Sequence, residues 1–561
     1  MYKRTRQALA LFMLTFICLR PFAAIAQEIW FGPRLPRAPW IHVQGIVEWP
    51  DMFASRSGWE TSSTRVAVLK LEPGYIADAS DEELTTLSSR LTKLGIAVGI
   101  EIQPVAARKS DHCGVTEGYD DPVAVARIVA KLTRLQIRPK YIALDEPVWF
   151  GHYADGPQEC HFSITDVAHR AAEIAQLYLT AFPQVILGDI EPVGSLVQKV
   201  DWQASYRTFE EEFNKALGRK LQFMQLDVDF RNPGWPRQIK AIFAFGRSLG
   251  MRMGIIYNGD GEDANDRAWI AHAEQSIALT ESLYSIIPDQ AIFQSWNKFP
   301  THALPETSPS AHTWLIARYI LPRTHFAFHR QGNDVEGRLL ATDGHGIANA
   351  RISIATMGTP IGELPQARTA TGVVPDRARF ALLGLRVNIE CFCNGLNDLM
   401  IGKFTYTEHG AGSKSASFNT ASEAARSQAS RPDGLPVEVV KIGGDLLAHI
   451  KIKPNQRLLL NSQIFPVTPL SQFTFSAQIG SVTGNGMFGT ATVIWFDADK
   501  HDFLRTNVRL ERDVHHVEFL RTDATGRFRI VRKGGSGSVP AALQLHFPGN
   551  EEFRESYAEL P

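Results

Sequence analysis

Between residues 40 and 322, short apolar runs alternate with longer stretches in which apolar residues recur at helical spacing. The runs predict eight strands, at 40–50, 65–74, 95–104, 141–147, 185–192, 221–230, 252–260 and 291–300. A helix is predicted from Ser80, a suitable N-cap, to Gly95, and another begins at Pro122. Eight strand–helix units predict an α/β fold, the (β/α)₈ TIM barrel. A doubly wound open sheet would show the same local pattern, but no G-x-G-x-x-G turn follows the first predicted strand.

After Pro322 the helical pattern stops and strand-like alternation replaces it. Residues 335–356 resemble the opening of Ig-like bacterial modules, which implies an Ig-like β domain at 331–410. Residues 411–434, poor in large apolar side chains, predict a linker. Residues 435–561 contain close-spaced strand patterns such as FTFSAQIGS and GTATVIWFDAD, which resemble jelly-roll carbohydrate-binding modules. We therefore expect a barrel domain at 27–330 followed by one or two all-β sandwich domains, which either bind glycan or buttress the barrel.

The N-terminus has the three parts of a secretory signal peptide. Basic MYKRTRQ precedes apolar ALALFMLTFICL, and small residues lead to a cleavage site after Ala26. The sequence therefore predicts a signal peptide at 1–26 and a secreted or periplasmic protein, with no integral membrane segment after cleavage.

Charge and cysteine content exclude several classes of partner. The 561 residues have a formal net charge of -1 and no long Lys/Arg run, so nucleic acid is not an expected partner. Cys113 and Cys160 follow the third and fourth predicted strands, where neighbouring loops meet, so a disulfide between them is predicted. Cys391 and Cys393 have no second pair at metal-ligand spacing, and we predict no metal or other cofactor.

Polar and aromatic side chains end nearly every predicted strand. With a period of two, the residues that share a face are Gln44 with Glu48, Lys70 with Glu72, Glu101 with Gln103, Asp189 with Glu191, Gln225 with Asp227 and Asp229, Asn258 with Asp260, and Gln294 with Trp296. The C-terminal strand ends of such a barrel carry its active site. Because buried charges need partners or a wet cavity, the joint pattern predicts a polar cleft there.

Aromatic residues occupy the adjacent loops at Trp49, Trp149, Tyr153, Trp202 and Trp235. Flat rings beside carboxylates suit sugars, although tryptophans also pack the shell between a barrel and its loops. Both interpretations stay open at this point.

Asp145-Glu146-Pro147, at the end of the fourth predicted strand, is similar to the Asn-Glu-Pro of the TIM-barrel glycoside hydrolase superfamily, clan A and its relatives. Trp296 at the end of the eighth predicted strand adds to the resemblance, which covers residues 38–322. The resemblance implies that Glu146 is the general acid/base. It also implies a nucleophilic Glu at the end of the seventh strand, where this chain has Tyr257-Asn258-Gly259-Asp260 instead.

The identity of the second catalytic carboxylate is therefore left open by the sequence. Asp260 and Glu191 are the first candidates, and Asp227 and Glu262 are alternatives. Asp145 is expected to bind substrate or to raise the pKa of Glu146, and His152 to orient a carboxylate. The residues predicted to bind substrate are Asp145, Gln44, Glu48, Glu72, Gln103, Trp149, Asp189, Gln225, Asp227, Asn258 and Trp296.

These features predict an exported glycoside hydrolase that cleaves a polysaccharide or oligosaccharide with two carboxyl groups. One alternative is a non-catalytic carbohydrate-binding barrel, favoured by the missing carboxylate of the seventh strand. Another is a barrel enzyme of different chemistry, such as a polysaccharide lyase.

Overall fold

The computed structural model describes residues 27–560 except 37–44, 50, 233, 332–333, 358–363, 366, 390–396, 411–413, 420–436, 443, 453–456, 484–486, 511–513 and 531–541. The predicted signal peptide, Gln44, Cys391 and Cys393 lie outside the described residues. The predictions made for them remain predictions.

Eight parallel strands close into a barrel, which confirms the predicted fold. In chain order the strands are Glu28–Gly32, Val66–Leu71, Ala97–Ile102, Tyr141–Asp145, Ile186–Pro192, Phe223–Asp227, Arg252–Tyr257 and Gln290–Gln294. Each strand pairs with its neighbours in this order, and the first pairs with the eighth from Glu28 beside Gln290 to Gly32 beside Gln294.

The prediction of the first strand at 40–50 was wrong, because the barrel begins at Glu28–Gly32. In this short strand Trp30 and Phe31 are fully buried. Residues 45–49, the described part of the predicted strand, lie in the loop that follows the first barrel strand and end in a turn at 47–49. The apolar alternation of 40–50 is longer than that of EIWFG, so periodicity selected the loop over the strand.

Helices cover the outside of the barrel. They span Glu60–Ser63, Pro73–Asp78, Asp81–Leu94, Pro122–Arg134, Ile164–Ala181, Val193–Leu196, Trp202–Leu217, Trp235–Ser248, Asp266–Ala278 and His312–Tyr319, with π-helical segments at Trp149–Tyr153 and Leu279–Leu283. Ser80 accepts a hydrogen bond from the Glu83 N–H, and Gly95 ends that helix with a φ of 73°, as predicted. Within the described part of the chain, none of the helices has the length and apolarity needed to cross a lipid bilayer.

Two hydrophobic clusters define the inside and the outside of the barrel wall. The inner cluster contains Trp30, Val68, Tyr141, Ala143, Ile190, Phe223, Ile256 and Ile292. The outer cluster joins the alternate strand residues to the helices. Because the side-chain period is two, this division shows which strand-end residues face the barrel axis.

Cys113 and Cys160 form the predicted disulfide, with a Cα–Cα distance of 5.2 Å. The bridge joins the loops that follow the third and fourth strands. It therefore fixes two neighbouring loops on the same side of the barrel as Asp145 and Glu146.

The region after the barrel forms two β units, each with its own core. In the first, strands Thr324–Gln331, Asp334–Ala341 and Arg527–Ile530 form one sheet, and strands Val514–Arg521, Arg351–Met357, Ala542–Phe547 and Ser556–Leu560 form another. In the second, one sheet contains Ala367–Val373, Gln472–Thr483, Asn397–His409, Asp445–Ile452 and Val437–Ile442, with Ser415–Asn419 beside Asn397–His409. Its other sheet contains Arg457–Asn461, Phe380–Ile389, Met487–Phe496 and Asp502–Leu510, with Phe465–Pro466 beside Phe380–Ile389.

This strand pairing cuts across the predicted division at 410 and 435. Arg351–Met357 pairs with Val514–Arg521, so residues before and after the second unit share one sheet. The second unit is therefore inserted into the first, rather than following it. Short strand patterns reveal that a region is all-β, but they do not reveal which strands pair over long sequence distances.

The C-terminal segment of the first β unit packs against the barrel. Arg554 is 7% exposed and donates to Glu281 Oε2 at 3.0 Å, and Arg323 lies 3.0 Å from the same oxygen. Tyr257 and Tyr319 donate to Glu281 Oε1 at 3.0 and 2.6 Å. Glu281 thus joins the end of the seventh barrel strand to the C-terminal β region.

Candidate active site

Asp145 and Glu146 are both buried at the end of the fourth strand, at 7% and 8% exposure. Asp145 faces the barrel axis, in alternation with Tyr141 and Ala143 of the inner cluster. Glu146 has a φ of 51°, which is uncommon for a residue with a side chain. The kink interrupts the strand alternation immediately after Asp145. Strained backbone of this kind often occurs at functional sites.

The Glu146 side chain has no hydrogen-bond partner among the described residues. Burial raises the pKa of Glu146 well above its ordinary value, and the charge of Asp227 adds to that effect, followed by those of Asp145 and Glu191. The strongest charges acting on Glu146 are therefore all negative. This environment favours the protonated carboxyl group.

Asp227 ends the sixth strand and faces the barrel axis, in alternation with Phe223 and Gln225. Burial and the charges of Glu101 and Glu117 raise the pKa of Asp227 to about 7, whereas Lys70 lowers it. Asp227 thus differs from Glu146 in having a cation among the charges that act on it. This difference favours ionisation of Asp227 at a pH where Glu146 keeps its proton.

Lys70 is the buried cation at the barrel mouth, with 4% exposure. Its ammonium group donates to Gln294 Oε1 at 2.6 Å and to Gln225 Oε1 at 3.4 Å, and it forms an ion pair with Glu101. Gln225 in turn donates to Gln290, which donates to Glu28 near the other end of the barrel. A chain of polar side chains therefore runs through the barrel interior and fixes Lys70 below the acids.

Gln103 and Glu72, both predicted to bind substrate, flank this group. Gln103 Nε2 donates to Asp145 Oδ2 at 3.0 Å, and its own Oε1 accepts from the Gly118 N–H. Burial and the charge of Glu101 raise the pKa of Glu72 to about 7, against the opposing effect of Lys70. Gln103 directly follows the third strand, which pairs with the fourth. Glu72 directly follows the second strand, which pairs with the third.

The acids of the fifth strand face away from the barrel axis, because Ile190 between them belongs to the inner cluster. Asp189 accepts from Tyr206 of a surrounding helix at 2.6 Å. Glu191 is fully buried and accepts from the N–H groups of Val148 and Trp149 at 2.8 and 3.2 Å. Asp189 thus lies in the helical shell, and Glu191 holds the segment that follows Glu146.

Asp260 lies in the loop after the seventh strand. Its Oδ1 accepts from the Glu262 N–H at 2.9 Å and lies 3.6 Å from Arg231 Nη1. Asn258, one period before it, is 8% exposed, and its side chain has no hydrogen-bond partner among the described residues. At the end of the seventh strand, the Asn258 amide is therefore free to bind a ligand, whereas the Asp260 carboxylate in the following loop is already bound by protein groups.

A cleft of about 600 Å³ opens beside Asp227, on the side of the fifth to eighth strands. Its walls include the predicted residues Asp227, Asn258, Asp260 and Trp296, as well as Asp229 and Trp235. The volume lies within the range of about 300–1,000 Å³ that is usual for ligand pockets. The sixth, seventh and eighth strand ends thus share one cavity.

Several predicted residues have other contacts. Glu48 accepts from His302 Nδ1 at 2.8 Å and from the Ala303 N–H at 2.9 Å, so it ties the loop after the first strand to the loop after the eighth. His152 Nδ1 is 2.8 Å from the Phe162 carbonyl oxygen rather than a carboxylate. Trp149 is half-buried with Lys199 over its ring at 5.3 Å.

The other loop aromatics divide between shell and cleft. Trp202 is 8% exposed and packs on Phe245, and Trp49 donates to Tyr75. Tyr153 donates to Asp201 at 2.8 Å. Trp235 and Trp296 line the cleft, where Trp235 is buried and Trp296 is partly exposed.

The sequence analysis missed Glu117, Arg231 and His272. Glu117 acts on the pKa of Asp145, Glu146 and Asp227 from the loop after the third strand. Arg231 and His272 line the cleft, and His272 Nδ1 lies 2.7 Å from Asp263 Oδ1. None of the three ends a strand, so period-two alternation gave no signal for them.

No protein-family model matches the chain, and no curated protein matches it. Among solved structures, a GH5_18 enzyme from Streptomyces cattleya in complex with Manb1-4GlcNAc is 11% identical, with a TM-score of 0.32 over 47% of this chain and 70% of that chain. A GH26 β-mannanase from Bacteroides ovatus is 13% identical, with a TM-score of 0.30 over 51% of this chain and 84% of that chain. An L-ribulose 3-epimerase is 15% identical, with a TM-score of 0.27 over 48% of this chain and 82% of that chain.

Similarity at this level carries no argument about activity, so any proposal of activity rests on the side chains described above. The eight-stranded parallel barrel and the antiparallel sheets after it agree with the architecture predicted from the resemblance. The strand pairing thus shows a TIM barrel with C-terminal β-sandwich elements.

Proposed function

We propose that the protein is an exported glycoside hydrolase that cleaves a polysaccharide or oligosaccharide, with Glu146 and Asp227 as its two catalytic carboxyl groups. The observation that carries the proposal is a polar cleft of about 600 Å³ lined by Asp227, whose charge also acts on the buried Glu146. Two carboxyl groups held in different protonation states are the minimum chemistry for glycosidic cleavage.

Glu146 is assigned as the general acid. Burial and four neighbouring carboxylates favour its protonated form, and its side chain has no competing hydrogen bond among the described residues. In this role it donates its proton to the glycosidic oxygen as the bond to the anomeric carbon breaks. The departing sugar leaves as an alcohol.

Asp227 is assigned as the second carboxylate, ahead of the candidates Asp260 and Glu191. Glu191 is enclosed and bound by two backbone N–H groups, and Asp260 is bound by a backbone N–H and lies beside Arg231. Asp227 lines the cleft and has no hydrogen bond of its own side chain among the described residues. It would either attack the anomeric carbon or activate the attacking water.

The decisive experiment measures release of reducing ends from a panel of glycans that includes mannan, xylan and galactan. In Glu146→Gln, kcat should fall by about 10²–10⁴-fold, because the amide keeps the shape but has no acidic proton. Asp227→Asn should cause a comparable loss. The comparison variant is Asp260→Asn, which should change kcat by less than about fivefold, because Asp260 is held by the Glu262 N–H and Arg231 and is not assigned to the reaction.

A residual kcat above about a tenth of wild type in Glu146→Gln would refute the role of this residue. Full activity in Asp227→Asn together with an inactive Asp260→Asn would transfer the second role to Asp260. The configuration of the first-formed product, measured by NMR, then separates a retaining from an inverting mechanism.

The alternative of a non-catalytic carbohydrate-binding barrel is favoured by one observation, the free amide of Asn258 where the resemblance implies a nucleophilic Glu. The same panel separates the two. Wild-type protein that binds a glycan and cleaves none supports the binding protein and refutes the hydrolase.

Export is part of the proposal. The disulfide between Cys113 and Cys160 agrees with an oxidising compartment. N-terminal sequencing of the protein recovered outside the cytoplasm should give Gln27 as the first residue. Recovery of the full-length chain from the cytoplasm would refute export.

A further inference from the structure

The charges of the cleft bear on which glycan it accepts. Three aspartates line it, Asp227, Asp229 and Asp260, and among the described lining residues Arg231 is the only lysine or arginine. Arg231 is already engaged: its Nε lies 2.6 Å from Asp229 Oδ1, and its Nη1 lies 3.6 Å from Asp260 Oδ1. No cation of the described lining is therefore left to bind an anionic sugar.

Acidic side chains continue from the cleft into the barrel mouth. Glu72, Glu101, Glu117, Asp145 and Glu146 act on one another or on Asp227. Lys70 lies among them, but its ammonium is bound by Glu101 and two glutamines. Buried carboxylates are ordinarily paired with cations, and this group has far more acids than cations.

A second observation shows that the cleft is built for a ligand. Asn258 lines it, is 8% exposed, and its amide has no hydrogen-bond partner among the described residues. An amide that opens onto a cavity and has no protein partner can donate to and accept from a ligand in that cavity. Trp296 adds a partly exposed aromatic ring to the same cavity.

The acids are not arranged as a metal site. In the described part of the chain, one group of three His, Cys, Asp or Glu side chains brings its ligand atoms within 4.8 Å of one another, and it is Asp497, Asp499 and His501 of the β region. The carboxylates at the barrel mouth do not converge in this way. They suit several positive charges spread along an extended ligand rather than one compact ion.

Resting on the proposed glycan-cleaving function, we infer that the cleft accepts a glycan with free amino groups, a hexosamine oligomer. Its ammonium groups supply the positive charge that the barrel mouth lacks, and each brings three hydrogen-bond donors to carboxylate acceptors. Neutral sugars would fill the cleft without neutralising its charge, and uronic acids would be repelled.

The test uses the full mature chain carrying Glu146→Gln, which prevents turnover, and isothermal titration calorimetry. The probes are matched oligosaccharide triplets that differ at C2 only, with glucosamine, N-acetylglucosamine or glucose units, in β1,4, α1,4 and β1,6 linkage. We expect the amino member of at least one triplet to bind about tenfold or more tightly than its two counterparts at about 20 mM salt. Raising the salt to about 0.5 M should shrink that ratio, because the charges are screened.

A second variant identifies the source of the preference. Adding Asp227→Asn should reduce the preference for the amino oligomer several-fold, whereas adding Glu211→Gln, on an exposed helical position, should leave it unchanged. Binding of the amino oligomer should also release protons near about pH 7, seen as a heat that depends on the buffer, because the ammonium favours the ionised acids.

The inference is overturned if no amino oligosaccharide of any linkage binds more tightly than its neutral counterpart, including the case in which none binds. It is also overturned if Ca²⁺ alone binds at the barrel mouth and abolishes the preference. The outcomes separate it from the proposed function. If the protein cleaves a neutral glycan and shows no preference for amino sugars, the proposed hydrolase function stands and the inferred amino-sugar ligand is wrong. If it binds amino oligomers that the wild-type protein never cleaves, the inferred ligand class stands and the proposed hydrolase function is wrong.

Discussion

Replacing Glu72 by glutamine should stabilise the barrel above about pH 7 and leave its stability unchanged near about pH 4. Glu72 follows the second strand, and burial together with the charge of Glu101 raises its pKa from 4.5 to about 7. The opposing effect of Lys70 is smaller, since that lysine already binds Glu101. The folded protein therefore holds a proton on Glu72 that the unfolded chain releases.

The sign follows from proton binding. Between a pKa of 4.5 in the unfolded chain and about 7 in the folded protein, the folded state binds more protons, so stability falls as the pH rises. The contribution of Glu72 to stability is fully present below its pKa in the unfolded chain, and it is lost as the pH rises through its pKa in the folded protein. The difference of about 2.5 pH units corresponds to about 3 kcal/mol, since one unit is about 1.4 kcal/mol.

Urea unfolding at about pH 4, 5.5, 7 and 8.5 measures this dependence. Every tryptophan except Trp495 precedes residue 322, so intrinsic fluorescence reports mainly on the barrel. The free energy of unfolding of Glu72→Gln should equal that of wild type at the lowest pH and exceed it by up to about 3 kcal/mol at the highest.

The matched control is Glu211→Gln, because Glu211 is exposed on the helix Trp202–Leu217. Its difference from wild type should stay within about 0.5 kcal/mol at every pH. A Glu72→Gln variant that is less stable than wild type by the same amount at every pH would refute the reasoning. That result would mean that the carboxylate makes a favourable contact in the folded protein.

Three further predictions concern other parts of the molecule. Lys70→Met should move the acidic limb of the pH profile of kcat/KM to higher pH, because the lysine lowers the pKa of Asp227. A loss of kcat/KM by the same factor at every pH would indicate that Lys70 has a structural role only. Arg554→Met should lower the free energy of unfolding by about 3 kcal/mol, because it leaves a buried carboxylate with one cation fewer, and a loss below about 1 kcal/mol would contradict this. Replacing both Cys113 and Cys160 by serine should cost about 3–4 kcal/mol, given their separation of 47 residues, and reducing agent should then have no further effect on the variant's unfolding curve.

The architecture was predictable because strand–helix alternation is a local pattern. Seven of the eight strands were placed from apolar runs, and the exception, Glu28–Gly32, was missed because the apolar alternation of 40–50 beside it is longer. The interleaved β units were not predictable, since pairing of Arg351–Met357 with Val514–Arg521 depends on contacts far apart in the chain. Strand propensity is the same whichever partner a strand takes.

The candidate site was predictable in position but not in detail. Alternation brought Gln225 and Asp227 to the barrel axis, and it correctly put Asp189 and Glu191 on one face of their strand. It did not reveal that this face is the outer one, because both faces of a barrel strand are buried and apolar. The packing of Ile190 in the inner cluster shows that the side chains of Asp189 and Glu191 face outward.

The shortage of cations at the barrel mouth connects the stability of the protein with its proposed choice of substrate. Glu72 and Asp227 both have pKa values raised to about 7, so both weaken the folded state above that pH unless something neutralises them. Proteins commonly accept such a loss at sites where a ligand supplies the missing interaction. If Glu72→Gln stabilises the barrel and also weakens binding of amino oligosaccharides, the same negative charge serves both effects. If Glu72→Gln stabilises the barrel and leaves that binding unchanged, Asp227 and its cleft attract the ligand without Glu72. The raised pKa of Glu72 then results only from its burial among other acidic side chains.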